Sequence, residues 1–391
     1  MSEVDVLAVD HVEFFAGDAR QAAFVLCRAF GFRVLGQGGP DTGAPGRRSL
    51  LVGQGSSRVL LTSGLASHHP AAEYVARHGD GVAVIAFRVE DAAAAYAEAV
   101  AAGATPLQQP RVHERGGERV VTAVVSGFGD VAHRFVERSA PGAEFLPGLV
   151  EMADPPPSDA PQQLLTAIDH AAFCVPAGEL EPTVRHYRKT FGFEPIFEEY
   201  VEVGDQGMFS QVVQSASGAV TFTLIEPDTS RHRGQIDDFL AWHGGPGVQH
   251  VALSTDDIAA AVDAFSARGA GFAPTPAAYY EELGARLGPI DIPVERLSSR
   301  GILADRDHWG LMYQIFARSM HVRNTFFWEL IERHGARTFG TSNIPALYAA
   351  KERELSAVRD TTAPSAVPAN TVPAGTVPAE AASTNTARRT A

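Results

Sequence analysis

Apolar runs typical of β-strands alternate along the chain with helix-like stretches, and two of these runs are nearly the same. GVAVIAFRVED at 81–91 and GVQHVALSTDD at 247–257 share most of their apolar positions and end in acidic residues that suggest the start of a helix. The second copy carries Gln249 and His250 where the first has an alanine and a valine. The pattern predicts a strand followed by a helix in both places, and a special role for the polar pair in one of them.

Further matches indicate that the two halves of the chain repeat one another. The matching pairs are VDHVEFF (9–15) with IDHAAFC (168–174), two Phe-Gly-Phe triplets after helix-like stretches (30–32 and 191–193), and SGFGDVAHRF (126–135) with DHWGLMYQIF (307–316). We predict a unit of one strand, one helix and several more strands that occurs four times, two units per half. Such a chain belongs to the α+β class, with curved, largely antiparallel sheets that can close around a cavity.

Changes in composition predict the domain boundaries. Residues 139–164 are rich in proline, alanine and acids, as in a linker. From residue 357 the chain is an Ala/Pro/Thr tract with almost nothing to bury, which predicts disorder. We therefore expect an N-terminal domain over 1–138 without a metal site, a linker over 139–164, a C-terminal catalytic domain over 165–356 that ends in a helix, and a disordered tail over 357–391.

The overall composition argues against several classes of protein. A chain of 391 residues, 45% hydrophobic and 20% charged, is typical of a globular protein with two domains. Its net charge of −14 argues against nucleic-acid binding. Because it has neither an apolar run of membrane-spanning length nor a signal-peptide pattern, we expect a cytoplasmic protein without membrane partners. The two cysteines, Cys27 and Cys174, imply no disulfide framework.

Two histidines and one glutamate form the candidate metal site. His250 lies in a predicted strand, and His170 holds the corresponding place in the preceding unit. Glu329 lies in an aromatic, strand-like run. Two histidines and one carboxylate can bind one face of a ferrous ion and leave positions open for substrate and dioxygen.

Each of these residues also has a purely structural interpretation. A strand histidine is more often a hydrogen-bonded core residue than a ligand, and Glu329 alone could be a solvated strand residue. His11 also follows an aspartate in the first unit, but Val84 stands where its half would need a second histidine. We therefore interpret His11 as structural and expect a ligand set in the second half only.

On these motifs the chain resembles the 4-hydroxyphenylpyruvate dioxygenase family of the vicinal oxygen chelate superfamily. The resemblance covers about residues 5–355 and is carried by GVQHVAL, QIF (314–316), FFWELIERHG (326–335) and FGTSN (339–343). It implies four βαβββ modules paired into two open-barrel domains, and an Fe(II)-dependent dioxygenase whose substrates are 4-hydroxyphenylpyruvate and O2. It implies iron ligands at His170, His250 and Glu329. The substrate-pocket residues that it implies are Ser210, Gln235, Gln249, Gln314, Phe316, Phe327 and Phe339.

The family has two branches that act on this substrate. One attacks the aromatic ring and makes homogentisate; the other, 4-hydroxymandelate synthase, hydroxylates the benzylic carbon. The first branch usually has Pro-x-Asn-Glu-Pro where this chain has Thr223 and Ile225 in place of the proline and asparagine, and Phe where this chain has Ile344 after Asn343. An asparagine can bond the phenol and a phenylalanine can press the ring toward the iron, so isoleucines should leave the benzylic C–H closest. The resemblance thus favours the mandelate-forming branch and adds Thr223, Ile225 and Ile344 to the pocket; the alternative is that both isoleucines are ordinary core residues.

Three other functions are open on the sequence alone. They are a homogentisate-forming dioxygenase, a non-catalytic small-molecule binding protein on the same scaffold, and an extradiol-type ring-cleaving dioxygenase, for which the sequence identifies no acid–base His and Tyr. Relatives are often dimers or tetramers, so the resemblance allows a homodimer or a homotetramer. The mandelate branch further implies a role in supplying 4-hydroxyphenylglycine for a peptide antibiotic.

Overall fold

A computed structural model of the chain describes residues 4–139, 144–153, 163–340 and 342–346, except for the side chain of Val203. The predicted tail, and the predicted C-terminal helix beyond residue 346, lie outside these residues. The first half contains β1 (Ala8–Phe15), α1 (Ala19–Phe30), β2 (Arg33–Gly38), a 3-10 turn (Pro40–Thr42), β3 (Arg47–Gln54), β4 (Ser57–Gly64), α2 (Pro70–His78), β5 (Gly81–Arg88), α3 (Ala92–Ala101), β6 (Pro106–Arg115), β7 (Glu118–Ser126), β8 (Ala132–Arg138) and β9 (Glu151–Met152). The second half contains β10 (Ile168–Cys174), α4 (Leu180–Phe191), β11 (Glu194–Val203), β12 (Gln206–Gln214), β13 (Thr221–Pro227), α5 (Gln235–His243), β14 (Gly247–Ser254), α6 (Ile258–Ala267), α7 (Ala277–Glu281), α8 (Leu283–Leu287), α9 (Val294–Ser298), β15 (Leu303–Arg306), β16 (Leu311–Phe316) and β17 (Phe327–His334).

Each half forms one sheet in which two units meet. The first sheet has the strand order β6-β7-β8-β5-β1-β4-β3-β2-β9, and the second has the order β11-β12-β13-β10-β14-β17-β16-β15. The first strands of the two units pair antiparallel at the centre of each sheet, β1 with β5 and β10 with β14. The predicted α+β class, with four βαβββ modules paired into two open barrels, is confirmed.

The strand order corrects one of the sequence matches. β8 lies beside β5 in the first sheet, and the strand in the same place beside β14 is β17. Residues 126–135 lead into β8, whereas residues 307–316 lead into β16, one strand further out. The predicted correspondence between these two segments was therefore wrong. The two segments look alike because both are a turn followed by an apolar strand, but the place of a strand in a sheet depends on distant partners.

The Phe-Gly-Phe triplets end helices, as predicted. Gly31 follows α1 with φ of 72° and Gly192 follows α4 with φ of 69°, in the left-handed region that glycine adopts most easily. At the other end of a helix, the carboxylate of Asp257 accepts a hydrogen bond from the backbone of Ala260 and caps α6. No helix among the described residues is long and apolar enough to cross a membrane.

Alternation of side chains gives each sheet a helix-facing side and an opposite side. Phe222 on β13 is buried on the helix side, where its ring centre lies 5.4 Å from that of Tyr187 on α4. The ring of Phe87 from the first half lies 6.0 Å from Phe222, so the two halves share one core. Residues of the other parity on β10, β13 and β14, among them Thr223 and His250, face away from the helices.

Part of the predicted linker packs against the first sheet. Three buried side chains from residues 144–153 join Leu51 and Leu60 in an apolar cluster; they are Phe145, Leu146 and Val150. β9 from the same segment pairs with β2. These apolar residues distinguish the packed part from the proline-rich remainder, whose central residues 154–162 are outside the described part. The domain boundaries themselves stay predictions.

Candidate metal centre

His170, His250 and Glu329 come together on the side of the second sheet that faces away from the helices. They lie on β10, β14 and β17, three neighbouring strands, so each strand contributes one side chain. Nε2 of His170 is 3.6 Å, and Nε2 of His250 is 3.3 Å, from Oε2 of Glu329. The three are 4%, 9% and 2% exposed, and they form the one cluster of at least three possible metal-binding side chains within the described residues.

A β-bulge precedes each of the two histidines. The register of β10 against β14 slips at two places and leaves Asp169 on β10 and Gln249 on β14 without a residue opposite. A bulge locally changes the direction of a side chain, which in a regular strand would point to the face opposite its neighbour. As a result Oδ1 of Asp169 lies 2.8 Å from Nδ1 of His170, and Oε1 of Gln249 lies 3.2 Å from Nδ1 of His250.

These two hydrogen bonds define which nitrogen of each histidine is free. Asp169 and Gln249 offer oxygen acceptors at these distances, so Nδ1–H of each ring donates to them and Nε2 is the nitrogen left to bind a ligand. Nε2 is the atom that faces Glu329 in both rings. Two imidazole nitrogens and one carboxylate oxygen are the donor set of the 2-His-1-carboxylate sites of non-haem iron enzymes. The residues present therefore fit a divalent metal ion.

Arg333 fixes Asp169 in place. Its Nε and Nη2 donate to Oδ2 and Oδ1 of Asp169, both at 2.8 Å, in the fork geometry that arginine and carboxylate prefer. The guanidinium carbon lies 5.1 Å from the ring centre of Phe339, whose edge-to-face contact with His170 has a centroid distance of 4.9 Å. His170 is thus held both by the hydrogen bond at Nδ1 and by the contact of its ring with Phe339.

Negative charge concentrates around His170. Burial disfavours its charged form, but hydrogen bonds to Asp169 and Glu329 outweigh burial and raise the pKa of His170 to about 9. Burial, followed by the charge on His170, lowers the pKa of His250 well below its usual value. Although burial raises the pKa of Asp169, its bonds to Arg333 and His170 lower it overall. The site is one in which a cation is electrostatically favoured.

The three predicted aromatic residues surround this cluster. Phe327 stacks on His250 with ring centres 4.9 Å apart and an angle of 25° between the rings. Phe316 lies opposite Glu329 in the β16–β17 register, with its ring centre 6.2 Å from that of His250. With Phe339 against His170, they give the cluster apolar walls.

Predicted polar residues lie on the same face. Thr223 is in register with Ala172, which is itself opposite His250, and Gln314 is two residues before Phe316 on β16. Both are buried, and neither Oγ1 of Thr223 nor Oε1 of Gln314 has a hydrogen-bond partner among the described residues. Buried polar atoms are rarely left unpaired, so these two atoms are suited to bind a ligand.

The remaining predicted pocket residues differ in their position. Ser210 on β12 is buried opposite Ile225 on β13, and β12 lies two strands from β10, which carries His170. Gln235 is exposed at the first position of α5, and no described contact joins it to the metal cluster, so its role stays a prediction.

Ile225 and Ile344 pack against one apolar cluster, which consists of Cys174, Val201, Met208, Ile236 and Phe239. Residues 343–346 are helical, and Asn343 ties them to the rest of the half. Its Oδ1 accepts hydrogen bonds from the hydroxyl of Tyr279 at 2.6 Å and from Nη2 of Arg286 at 3.2 Å.

Four residues that support the site were not predicted from the sequence: Asp169, Arg333, Tyr279 and Arg286. The repeated Asp-His pair, present in both halves, was a signal that could have identified Asp169. The other three act through partners far away in sequence, and no local pattern indicates them.

Comparisons with known proteins agree with this geometry. Residues 8–130 and 167–313 match the Glyoxalase/Bleomycin resistance protein/Dioxygenase superfamily. The 4-hydroxyphenylpyruvate dioxygenase of Danio rerio is 34% identical over 358 residues, which cover 89% of this chain and 90% of that protein. The enzyme of the same name from Yarrowia lipolytica is 30% identical over 359 residues, covering 88% and 91%. The chain belongs to the 4-hydroxyphenylpyruvate dioxygenase family.

The family predicted from the sequence is therefore confirmed. As a member of this family, the chain is an oxygenase with small-molecule substrates. Among solved structures, the chain is similar to a triple mutant of 4-hydroxymandelate synthase from Streptomyces coelicolor. It is 40% identical, superposes with a TM-score of 0.79, and the match covers 91% of this chain and 100% of that one.

Proposed function

We propose that this member of the family is an Fe(II)-dependent dioxygenase that converts 4-hydroxyphenylpyruvate and O2 into 4-hydroxymandelate and CO2. In this reaction one oxygen atom enters the new carboxylate and the other enters the benzylic hydroxyl group, so the atoms of O2 are fully used. The proposal has two parts, the metal-dependent reaction and the position of hydroxylation, and different residues support each part.

His170, His250 and Glu329 would hold the ferrous ion. The chemistry that this ion supplies when bound is chelation of the 2-oxo acid and activation of O2 for oxidative decarboxylation and hydroxylation. Asp169 keeps the proton of His170 on Nδ1, so that Nε2 stays available as a ligand atom.

Other side chains would bind and orient the substrate. The rings of Phe316 and Phe327 give the site an apolar wall that excludes water. The unpaired oxygen atoms of Thr223 and Gln314 offer the substrate hydrogen bonds that no described protein group uses. We assign Ser210 and Gln249 to the same polar set; Gln249 acts through His250.

The observation that carries the choice of product is the shared apolar packing of Ile225 and Ile344. The ring-attacking branch is expected to have an asparagine and a phenylalanine at these positions. Without the amide, the phenol lacks that polar partner, and without the larger ring, the substrate is not pressed toward the metal. A shift of this kind changes which carbon lies nearest to the reacting oxygen. The 40% identity to a 4-hydroxymandelate synthase mutant supports the same choice.

The second candidate is the dioxygenase that makes homogentisate, which the relatives of 30% and 34% identity favour by their names. Both products have the same elemental composition, so mass alone does not separate them. The test is turnover of 4-hydroxyphenylpyruvate with Fe(II) in air, followed by chromatography and proton NMR. We expect one benzylic C–H and four aromatic protons in the product, as in 4-hydroxymandelate.

Two results would overturn the proposal. A product with three aromatic protons and a CH2 group is homogentisate and would refute the position of hydroxylation. Absence of any turnover, together with substrate binding that does not depend on metal, would indicate a binding protein. Glu329→Gln serves as the control, since it should abolish turnover while the chain stays folded.

A further inference from the structure

The first sheet repeats the framework of the metal centre. In the second sheet, Ala252 on β14 lies between His170 on β10 and Glu329 on β17 and is in register with both. In the first sheet, Ala86 on β5 lies in the same way between His11 on β1 and Arg134 on β8. The place of the metal-binding carboxylate is therefore occupied by an arginine in the first half.

The surroundings of this row are repeated as well. His11 bonds Asp10 at 2.7 Å, and Nε and Nη2 of Arg138 donate to the two oxygens of Asp10 at 2.8 and 2.7 Å. Phe145 packs on both His11 and Arg138, with a ring-centre distance of 4.7 Å and a guanidinium-to-ring distance of 5.4 Å. Asp10, Arg138 and Phe145 thus correspond to Asp169, Arg333 and Phe339. The supporting residues are thus the same in both halves, but the residue in the register place of Glu329 is the positively charged Arg134 in the first half.

Arg134 supplies that positive charge. Its Nη1 lies 3.0 Å from Nε2 of His11, the atom that corresponds to the ligand nitrogen of His170. Its Nη2 donates to Oε2 of Glu13 at 2.6 Å, and Glu13 is only 1% exposed. A guanidinium group thus occupies the centre of the first half.

A cavity of about 210 Å³ opens beside Arg134. Its basic and polar lining includes Arg47, His69, Arg111, His113 and Thr122. Glu13 supplies one negative charge, which acts on both Arg134 and Arg47, against the three positive charges of Arg134, Arg47 and Arg111. The guanidinium groups of Arg47 and Arg111 make no hydrogen bond or close salt bridge to any residue in the described ranges. Guanidinium groups bind carboxylates and phosphates through paired N–H donors, so two such groups beside one cavity, without a protein carboxylate bonded to them, point to an anion that comes from outside.

The pKa of His113 agrees with a positive cavity. Burial lowers it first, and Arg111, Arg134 and Arg47 lower it further, to about 4. Burial also lowers the pKa of Arg47, which Glu13 raises and the two neighbouring arginines lower. The cavity therefore carries an excess of positive charge that the protein itself does not compensate.

We propose that this cavity binds a small doubly charged anion, a phosphate or a dicarboxylate, through the guanidinium groups of Arg47 and Arg111. Two unpaired cations match two negative charges, and each guanidinium can bind an oxyanion through two parallel N–H groups. The cavity is below the roughly 300–1,000 Å³ of sites for drug-sized ligands, which favours a small ion. The site is separate from the metal centre and does not depend on the function proposed for it.

Isothermal titration calorimetry on the full, metal-loaded chain tests this site with inorganic phosphate, succinate and acetate. We expect saturable binding of a dianion, at least tenfold tighter than that of acetate. Tighter binding of phosphate than of succinate assigns the site to a phosphate group, and the reverse order assigns it to a dicarboxylate. Absence of saturable binding, or equal binding of acetate, would overturn the proposal.

Variants locate the bound anion. Arg111 is exposed, so Arg111→Gln should fold normally and weaken binding at least tenfold; Arg47→Gln should do the same. Arg115→Gln removes the same charge from the same strand at an exposed position outside the cavity lining, and should bind as the unchanged protein does. His250→Ala should retain binding. Equal weakening of binding by Arg115→Gln would show that the anion responds only to the net charge of the protein. Loss of binding in His250→Ala would place the anion at the metal centre. Either result would overturn the proposal.

Discussion

Asp169 and His170 are adjacent in a strand, yet their side chains form a hydrogen bond of 2.8 Å. A regular strand would direct them to opposite faces, and the bulge at Asp169 removes that restriction. The same arrangement joins Asp10 to His11 in the first half. The protein thus contains two copies of one histidine support, and within the described residues only the second lies beside a carboxylate of the candidate metal site, that of Glu329.

Asp169→Asn should lower metal affinity by about 10- to 100-fold, the usual effect of losing a residue that supports a metal-binding histidine. The amide keeps the shape of the side chain but removes the charge that holds His170 and Arg333. Titration with Fe(II) measures the change. Asp10→Asn is the matched control, because Asp10 has the same partners in the first half; if it lowers metal affinity equally, the effect of Asp169 is on folding and not on the ligand.

Removal of the metal should lower thermal stability, because an ion that binds only the folded chain stabilises it. At a free metal concentration of 100 times Kd, the stabilisation is about 2.7 kcal/mol. Differential scanning calorimetry with and without chelator should show a lower Tm in the chelated protein. Glu329→Gln and His250→Ala should lose this response, whereas His11→Ala should keep it; a response that survives in Glu329→Gln would contradict the assigned ligand set.

The double variant Ile225→Asn with Ile344→Phe should shift the product toward homogentisate. The amide supplies a partner for the phenol, and the larger ring moves the aromatic carbon toward the reacting oxygen. Chromatography of the products measures the ratio. Ile196→Asn, at an exposed position on β11, is the control and should leave the ratio unchanged. An unchanged ratio in the double variant would mean that these positions do not select the product.

Gln314→Leu should weaken substrate binding without lowering the stability of the fold. Gln314 is 1% exposed and its Oε1 has no partner in the described part of the chain, an arrangement that costs about 1–3 kcal/mol. We therefore expect the free energy of unfolding to stay the same or increase, while KM for the substrate rises at least tenfold. A loss of stability without a change in KM would show that Gln314 is structural.

Acid should destabilise the protein through His133, which is fully buried. Its Nδ1–H donates to the carbonyl of Ile85, and the hydroxyl of Tyr187 donates to its Nε2, so the neutral ring is fully bonded. Burial lowers the pKa of His133 from 6.5 to about 3, although the bond to Ile85 opposes the shift. Between these pH values the unfolded chain binds a proton that the folded chain does not. The stability that the neutral His133 contributes is therefore fully present above pH 6.5 and is lost as the pH falls toward 3.

The contribution of His133 should be about 1.4 kcal/mol per pH unit. Urea unfolding of the protein and of His133→Gln between pH 6.5 and 4.5 measures it: the variant is expected to show a slope smaller by this amount. Replacement of the exposed His68 by Gln should leave the slope unchanged. Equal slopes for His133→Gln and the unchanged protein would show that this histidine does not remain neutral in the folded state.

The sequence by itself determined the local elements and the repeat. Strand alternation, the glycines that end α1 and α4, and the aspartate that caps α6 depend on residues close together in the chain, so they could be predicted. The grouping of His170, His250 and Glu329 as a candidate metal site could also be proposed, because the difference between 81–91 and 247–257 isolates His250 and the family resemblance implies its partners.

Only the tertiary structure decided what surrounds these residues. Asp169 turns toward His170 because of a bulge, Arg333 reaches Asp169 from another strand, and Arg134 takes the place of Glu329 in the first half. The sequence match placed residues 126–135 one strand away from their true counterpart and so concealed this last relationship. Register and strand order depend on hydrogen bonds between residues far apart in the chain, whereas the periodicity of a segment depends only on its own residues.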